Sequence, residues 1–402
     1  MVIRVVLAIA LLIMGLGATG AGSVVRAQDA TPMAASGEPI VIGAAIHQTD
    51  WMSAYDLPTL AAMQLAIKQV NAAGGVLGRP LELIVGDGKT DPATVGNVAI
   101  ELIDQGAEIL IAPNDFDYGA PVSQAAQDAG IVGISPAASS PLYGSKALGD
   151  KQFTLSMWNQ TMSAAAAQYA IEQGWTNAAT IIDSSTEYTQ SLGDYFTETF
   201  EHLGGTLVSE DTYVMGDMQL NAQIQRLQNL PEPADVIFLS TNMPDYAMMV
   251  RELRAAGLEQ PLMGGDAMDT ADFYPAVGEE LGNNIFISTH SFVGPEAGPE
   301  MEEYLKLYEA EYGELPETVF SVLGWDVIYV LADAIERAGT TEGAALAKAL
   351  EEGQYHMLSG DLKWADAAGG HAPTKEAFIL EVVNGAPTFV QRLNPEWAPP
   401  AE

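Results

Sequence analysis

Apolar positions along the chain follow two periods, one typical of buried strands and one typical of amphipathic helices. Residues 40–46 (IVIGAAI) and 81–87 (LELIVGD) form short, nearly continuous apolar runs. Between these runs, apolar side chains recur at helical spacing, so that one stripe of a helix can lie against a sheet, at Leu60, Met63, Ile67 and Val70. Gly74 and Gly75 end this helix. The sequence therefore predicts a strand–helix–strand unit near the start of the chain.

The same alternation continues almost to the end of the chain. Further strands are predicted at residues 108–112, 131–135, 179–183, 236–240 and 261–264. Further helices are predicted at residues 94–105, 119–129, 163–173, 189–202, 245–256 and 320–338. Such alternation indicates parallel sheets flanked by helices. The chain of 402 residues exceeds what one hydrophobic core usually supports, so we expect two similar α/β lobes.

The C-terminal segment predicts a different local structure. Two β-rich runs flank the dipeptide Asn384-Gly385 within AFILEVVNGAPTFVQRL. This dipeptide accepts the positive φ angles of a tight turn, so we expect a β-hairpin there.

The N-terminal segment predicts export. Arg4 precedes an apolar core at residues 5–16, and Val25-Arg26-Ala27 offers the small side chains of a cleavage site. We interpret residues 1–27 as a cleaved signal peptide and residues 28–39 as a flexible leader. The alternative is an uncleaved membrane anchor, but the apolar core is shorter than the roughly 20 residues that a membrane span needs.

Cysteine content and net charge indicate the cellular compartment and restrict the classes of binding partner. The chain has no cysteine, hence neither disulfides nor the lipidated cysteine that tethers many exported proteins. We expect a freely soluble periplasmic or secreted protein. Its formal net charge is −37, which argues against nucleic acid and anionic membranes as partners, because both require clustered Lys and Arg.

Enzyme motifs are missing from the sequence. No GxSxG elbow or P-loop occurs, and Asp115 and Asp117 lack the spacing of a calcium loop. No pair of histidines has the spacing of a zinc site, and we expect each to be a surface or loop residue: His47, His202, His290, His356 and His371. We therefore predict a protein that is not an enzyme and has neither metal nor cofactor. A hydrolase that uses paired carboxylates remains a weaker alternative.

Candidate binding residues lie where predicted strands end, because ligands of open α/β sheets sit beyond the carboxyl ends of the strands. The strand at 131–135 runs into the small-residue loop Ser135-Pro136-Ala137-Ala138-Ser139-Ser140-Pro141. The strand at 261–264 is followed by Gly265 and Asp266. A carboxylate in a cleft is costly unless it is paired, so Asp266 either forms a salt bridge within the protein or binds a ligand cation.

The strand–helix–strand unit near the start of the chain and the loop at 135–141 resemble those of a known family. The loop resembles the SPAAT-type loop of branched-chain amino-acid binders. From Ile40 to about Leu393 the chain resembles ABC-transporter substrate-binding proteins of the leucine/isoleucine/valine-binding family, which are type I periplasmic binding proteins. The resemblance implies an α/β fold of two Rossmann-like lobes with parallel sheets, joined by a three-crossover hinge.

In that fold each lobe is discontinuous. The resemblance places residues 40–157 and 291–374 in lobe 1, and residues 158–290 and 375–402 in lobe 2. The chain would pass between the lobes near residues 157, 290 and 375.

The resemblance also implies ligand contacts. Ala137 and Ser139 would contact the ligand and Ala138 would present its backbone. Tyr188 matches an aromatic residue that covers the ligand, and Asp266 matches the acidic residue that binds its ammonium group. Two further residues match cleft positions, Tyr55 and Asn242.

One position departs from the family. Where the family offers a serine hydroxyl and backbone N–H groups to the ligand's carboxylate, this chain has Asp115 or Phe116. A carboxylate would repel an α-carboxylate, whereas an aromatic face would tolerate a cation or an apolar group. Alternatively, Asp115 and Asp117 are both solvated and Phe116 packs on its own lobe.

The implied function is that of an extracytoplasmic solute-binding protein of an ABC importer. It would capture a small polar ligand by hinge closure and then dock on the ABC permease subunits. An amino acid is the first choice of ligand, and an amine or amide is the second. The alternative function is a receptor that senses an amine or amide solute and is coupled to a membrane sensor.

Overall fold

The computed structural model describes residues 35–217 and 219–401. Its strands are β1 Ile40–Ile46, β2 Leu81–Asp87, β3 Ile109–Ile111, β4 Val132–Ser135, β5 Gln152–Thr154, β6 Asn177–Asp183, β7 Thr206–Tyr213, β8 Val236–Ser240, β9 Leu262–Gly264, β10 Ile285–Thr289, β11 Tyr355–Met357, β12 Gly360–Trp364, β13 Pro373–Thr374, β14 Ala377–Val383 and β15 Ala386–Leu393. Its α-helices are α1 Ser53–Ala72, α2 Pro92–Asp104, α3 Phe116–Ala129, α4 Ser145–Leu148, α5 Asn159–Glu172, α6 Glu187–His202, α7 Asn221–Gln228, α8 Asp245–Ala255, α9 Phe273–Leu281, α10 Pro299–Tyr312, α11 Val319–Ala338 and α12 Gly343–Glu352.

The first sheet is parallel, with the strand order β2-β1-β3-β4-β5. Apolar side chains of α1, α11 and α12 cover one face, where Met63 and Leu331 share a core with Ile42. Side chains of α2 and α3 cover the other face around Leu110. Both faces are buried, which explains why these strands are continuous apolar runs rather than alternating ones. We call this sheet and its helices lobe 1.

The second sheet has the strand order β15-β14-β10-β9-β8-β6-β7. Strands β6 to β10 pair in parallel, as predicted, but β14 is antiparallel to both of its neighbours. The antiparallel pairing of β14 with β15 follows from the predicted hairpin, since a two-residue turn can join only antiparallel strands. Asn384 and Gly385 have φ angles of 52° and 74°, which confirms that prediction. We call this sheet and its helices, among them α5 and α6, lobe 2.

Three connections link the two sheets. The chain leaves the first sheet after β5, returns to lobe 1 after β10, and enters the second sheet again after β13. The predicted crossings near residues 157, 290 and 375 fall in these connections. The residues at which the lobes begin and end stay a prediction.

The sequence interpretation did not predict several of the strands and helices. These include β5, β7 and β10, the helices α10 and α12, and a small antiparallel sheet formed by β11, β12 and β13. Strands as short as β5, with three residues, show no period that separates them from a loop. Within the described residues no helix is long and apolar enough to cross a membrane.

The predicted signal peptide at residues 1–27 lies outside the described residues, as do residues 28–34 of the leader. At the end of the leader, the backbone N–H groups of Ser36 and Gly37 donate to the carbonyl of Gly78. This end of the leader is therefore attached to lobe 1.

Three of the five histidines lie in loops, as the expectation of surface or loop positions allowed, but they are buried rather than solvated. His47, His290 and His371 are fully buried, whereas His202 and His356 are exposed. His371 stacks on Phe153, and its ring lies 2.7 Å from a carboxylate oxygen of Glu351. Each of these rings has at least one hydrogen-bond partner, but His47 Nε2 and His290 Nδ1 have none among the described residues.

Candidate functional site

A small cavity of about 20 Å³ lies between the two lobes. Residues of both lobes line it: Met52, Tyr55, Asn114, Asp115, Ser139 and Phe320 from lobe 1, and Tyr188, Asn242, Asp266 and Ala267 from lobe 2. Asn114, Asn242 and Asp266 lie two or three residues after the ends of β3, β8 and β9, as expected for the ligand site of an open α/β sheet. This volume holds about one water molecule, so a larger solute can enter only when the lobes move apart.

In lobe 2, both carboxylate oxygens of Asp266 form hydrogen bonds with other side chains. The Tyr188 hydroxyl donates to Oδ1 over 2.8 Å, and Nε2 of His290 lies 3.0 Å from Oδ2. Burial lowers the pKa of His290, which favours the neutral ring with its Nε2–H donated to Asp266. A Cβ at Gly265 would lie 2.6 Å from the Tyr188 hydroxyl oxygen, so the glycine permits this contact.

In lobe 1, Asp115 is held only by backbone groups. It is the N-cap of α3, and its carboxylate accepts the N–H groups of Asp117, over 2.8 Å, and Tyr118. Asp115 is 6% exposed, and no salt bridge among the described residues includes it. Burial, and then the nearby charge of Asp117, raises the pKa of Asp115 to about 8. Its carboxylate therefore lacks a compensating positive charge.

Asn114 presents an acceptor without a partner. Its Nδ2 donates to Asp56 Oδ1 over 2.9 Å, to Thr59 Oγ1 over 2.9 Å and to the Tyr55 carbonyl over 3.2 Å. These three acceptors fix the orientation of the amide. Its Oδ1 is buried and has no hydrogen-bond partner among the described residues. The cavity thus contains an acceptor that a ligand N–H group can satisfy.

Asn242 provides the matching unpaired amide in lobe 2. It follows β8, is only 4% exposed, and its Nδ2 has no hydrogen-bond partner in the described parts of the chain. An unpaired buried amide costs about 1–3 kcal/mol, which a ligand with a complementary polar group would recover.

Direct hydrogen bonds between the lobes hold the cavity closed. The Tyr55 hydroxyl donates to the Ala267 carbonyl over 3.2 Å and accepts the Met243 N–H over 2.8 Å. At the edge of the cavity, the Glu187 N–H donates to Asp117 Oδ2 over 2.8 Å. These contacts are possible only when the two lobes are close together, so the structure is a closed form.

Comparison with known proteins identifies the family. The model of the periplasmic binding protein family matches residues 39–387, which is most of the chain. The chain belongs to this family. The resemblance that the sequence indicated is thereby confirmed, as is the two-lobed α/β fold.

Relatives of this periplasmic binding protein have been named for amino-acid binding. The Leu/Ile/Val-binding protein BraC3 of Rhizobium johnstonii is 24% identical over 78% of this chain and 84% of the relative. The leucine-, isoleucine-, valine-, threonine- and alanine-binding protein of Pseudomonas aeruginosa is 22% identical over 75% of this chain and 79% of the relative.

Solved structures show the same fold with different ligands. LivJ of Streptococcus pneumoniae, in complex with isoleucine, has a TM-score of 0.81, 22% identity, and coverage of 89% of this chain and 100% of that one. A solute-binding protein of an ABC transporter from R. palustris, in complex with benzoate, has a TM-score of 0.78, 20% identity, and coverage of 90% and 98%.

Six of the nine predicted site residues line the cavity: Tyr55, Asp115, Ser139, Tyr188, Asn242 and Asp266. Their contact with a ligand stays a prediction. Asp115 is buried, contrary to the alternative in which it is solvated.

The other three predicted site residues do not line the cavity. Phe116 packs edge-on against Tyr143 in lobe 1, with 6.4 Å between ring centroids. Ala137 is buried in the apolar core. The Ala138 N–H donates to Ser135 Oγ, and its carbonyl accepts the Thr154 hydroxyl, so its backbone groups are already paired within lobe 1. Whether Ala138 presents its backbone to a ligand stays a prediction.

The sequence interpretation missed other residues of the site. Asn114 lies three residues after the end of β3, so the expectation that ligands bind beyond strand ends could have selected it. His290 follows β10, and it was missed because β10 itself was missed. Phe320 lies in the first turn of α11 beside the N-cap Thr318, and Met52 precedes α1. Only the folded chain shows that these two apolar residues face the cavity.

Proposed function

We propose that this protein is the solute-binding protein of an ABC importer and captures a small amine-bearing solute in the cavity between its lobes. One observation carries the proposal: buried polar residues of both lobes, among them Asp266, line a single cavity closed by direct contacts between the lobes. Release into the periplasm or the medium, as the N-terminal sequence predicts, would place the protein where it can meet such a solute.

Closure requires a ligand that binds the closed form better than the open one. A molecule held between Asp266 of lobe 2 and Ser139 or Asn114 of lobe 1 meets this condition, because its partners lie on opposite walls. The energy of these contacts adds to the hydrogen bonds that Tyr55 makes with lobe 2. The closed protein would then be the form that the permease subunits recognise.

Asp266 is the reason for proposing that the ligand bears an amine. This carboxylate is buried and accepts hydrogen bonds from Tyr188 and a neutral His290, so it has hydrogen-bond partners but no full positive charge beside it. An ammonium group would supply that charge. Ammonium groups occur in amino acids, which the names of the relatives favour, and in amines and amino amides.

The proposal is tested by a ligand screen on the purified protein. We expect members of a panel of amino acids, amino amides and amines to raise the melting temperature, because a ligand that binds only the folded state stabilises it by mass action. A binding compound should also make the protein more compact by small-angle X-ray scattering. If no compound in the panel changes either the melting temperature or the scattering profile, the proposed function is wrong.

A further inference from the structure

The cavity walls carry more acceptor groups than free donor groups for a ligand. Two carboxylates, Asp115 and Asp266, lie on opposite walls, and Asn114 adds an unpaired acceptor oxygen. Among the cavity-lining residues, all of which lie in the described ranges, there is no Lys, Arg or His. Free donors come from the Asn242 amide, which is nine-tenths buried and unpaired, and from the Ser139 hydroxyl. The cavity is therefore complementary to a molecule rich in N–H groups.

Asp115 already occupies the place where a ligand anion could bind. The N-terminus of an α-helix attracts anions through its free N–H groups. In α3 the N–H groups of Asp117 and Tyr118 are taken by the carboxylate of Asp115 itself. A ligand carboxylate at this wall would find these donors occupied.

Other acidic groups around Asp115 further disfavour a ligand anion at this wall. Asp117 on α3 and Glu187 on α6 both raise the pKa of Asp115 electrostatically. The remaining titratable groups that face it are the Tyr118 and Tyr55 hydroxyls, whose pKa values are raised, so both stay uncharged. The wall of lobe 1 is thus negative or neutral at every pH near neutrality, and a cation is the ligand group that it can accept at low cost.

We propose that the ligand is a carboxylate-free organic cation with an N–H donor group at each end, of which a short linear diamine is the simplest example. One end binds Asp266 in lobe 2, and the other binds Asp115 and the Asn114 oxygen in lobe 1. This inference rests on the proposed function and narrows its ligand class. By bridging two carboxylates that no protein cation neutralises, the ligand itself supplies the energy for closure.

The test compares ligands that differ by one group. Putrescine and ornithine share the same diamine chain, but ornithine carries an added carboxylate. Leucine and isoamylamine differ in the same way and have only one amine. We expect putrescine to bind at least about tenfold more tightly than each of the other three in titration calorimetry of the full chain, because it alone satisfies both walls without repulsion.

A variant of Asp115 tests whether this residue is responsible for the preference for putrescine. Asp115→Asn should weaken putrescine binding at least about tenfold, and it should leave α3 intact because Asn is an equally good N-cap residue. Asp128→Asn, at the exposed end of the same helix, is the matched control and should change nothing. A normal melting temperature of the unliganded Asp115→Asn variant would show that it folds.

Each other outcome overturns the inference. Ornithine or leucine binding as tightly as putrescine would show that the site accepts a carboxylate, and the proposed function would stand. Isoamylamine binding as tightly would remove the need for a second amine. Putrescine binding that Asp115→Asn leaves unchanged would remove Asp115 from the site. Binding of none of the compounds in this test or in the wider panel would reject the proposed function as well.

Discussion

The two walls of the cavity each carry a buried aspartate, but they stabilise it by different means. In lobe 2, side chains hold both oxygens of Asp266, Tyr188 on one and His290 on the other. In lobe 1, Asp115 is held by two backbone N–H groups of its own helix, and burial raises its pKa to about 8. Asp266 therefore has a fixed orientation with or without ligand, whereas the charge of Asp115 depends on what enters the cavity.

This difference separates two roles within one site. A carboxylate with a fixed hydrogen-bond network is ready to bind an ammonium group at no cost of reorganisation. A carboxylate that is partly protonated in the empty cavity must lose its proton when a cation binds, so binding and protonation are linked. We expect Asp266 to contribute most of the ligand affinity. We expect Asp115 to determine the pH dependence and the selectivity of ligand binding.

The largest expected effect comes from removing the charge of Asp266. Asp266→Asn should weaken binding of putrescine, or of any other amine found in the screen, by about 2–4 kcal/mol, because it removes a desolvated partner of the ammonium group. This corresponds to roughly 30- to 700-fold in the dissociation constant measured by calorimetry. Asp272→Asn, on the exposed surface of the same lobe, is the control. Unchanged affinity would place the amine elsewhere.

The pH dependence of binding is the next largest effect and concerns Asp115. Its pKa of about 8 in the empty protein means that at lower pH the group is mainly protonated and must release a proton to pair with a cation. The affinity for putrescine should therefore rise about tenfold per pH unit below roughly pH 7 and level off above roughly pH 8. The alkylammonium groups stay protonated throughout this range.

Two observations sharpen this prediction. The Asp115→Asn variant should lose the pH dependence, and a residual dependence would point to Glu187, whose pKa burial also raises. A zwitterionic amino acid with its carboxylate beside Asp115 would need that group protonated. Its affinity would fall as the pH rises through about 8, which is the opposite sign. A falling affinity would therefore contradict the contact between Asp115 and a cation.

Sequence reasoning found much of lobe 2's wall and less of lobe 1's, for a physical reason. Tyr188, Asn242 and Asp266 all follow strands with clear apolar runs, so their positions at the end of a sheet could be predicted. Phe116 and Asp115 are neighbours in one loop, and the sequence does not show which of them points to the cavity. The N-cap of α3 decides this, since it turns Asp115 inward over the helix while Phe116 packs on Tyr143.

Long-range contacts were the other part that the sequence could not show. The bond between Tyr55 and Ala267 joins residues 212 positions apart, and no local pattern encodes it. The apolar periods predicted most of the elements because each period reports on one buried face. The relative position of two lobes depends on surfaces that meet only after both have folded.

The smallest expected effect tests the bridge between the walls rather than either carboxylate. Tyr55→Phe removes the hydroxyl that donates to Ala267 and accepts the Met243 N–H, and it keeps the ring that packs against Phe320 at 5.1 Å. Because these bonds form only in the closed state, ligand affinity should fall by about 1 kcal/mol, roughly fivefold. The pH dependence should stay, since Asp115 is unchanged. At an equal, subsaturating putrescine concentration, scattering measurements should show a larger radius of gyration for the variant than for the parent protein, and an equal radius would mean that Tyr55 does not help to hold the lobes together.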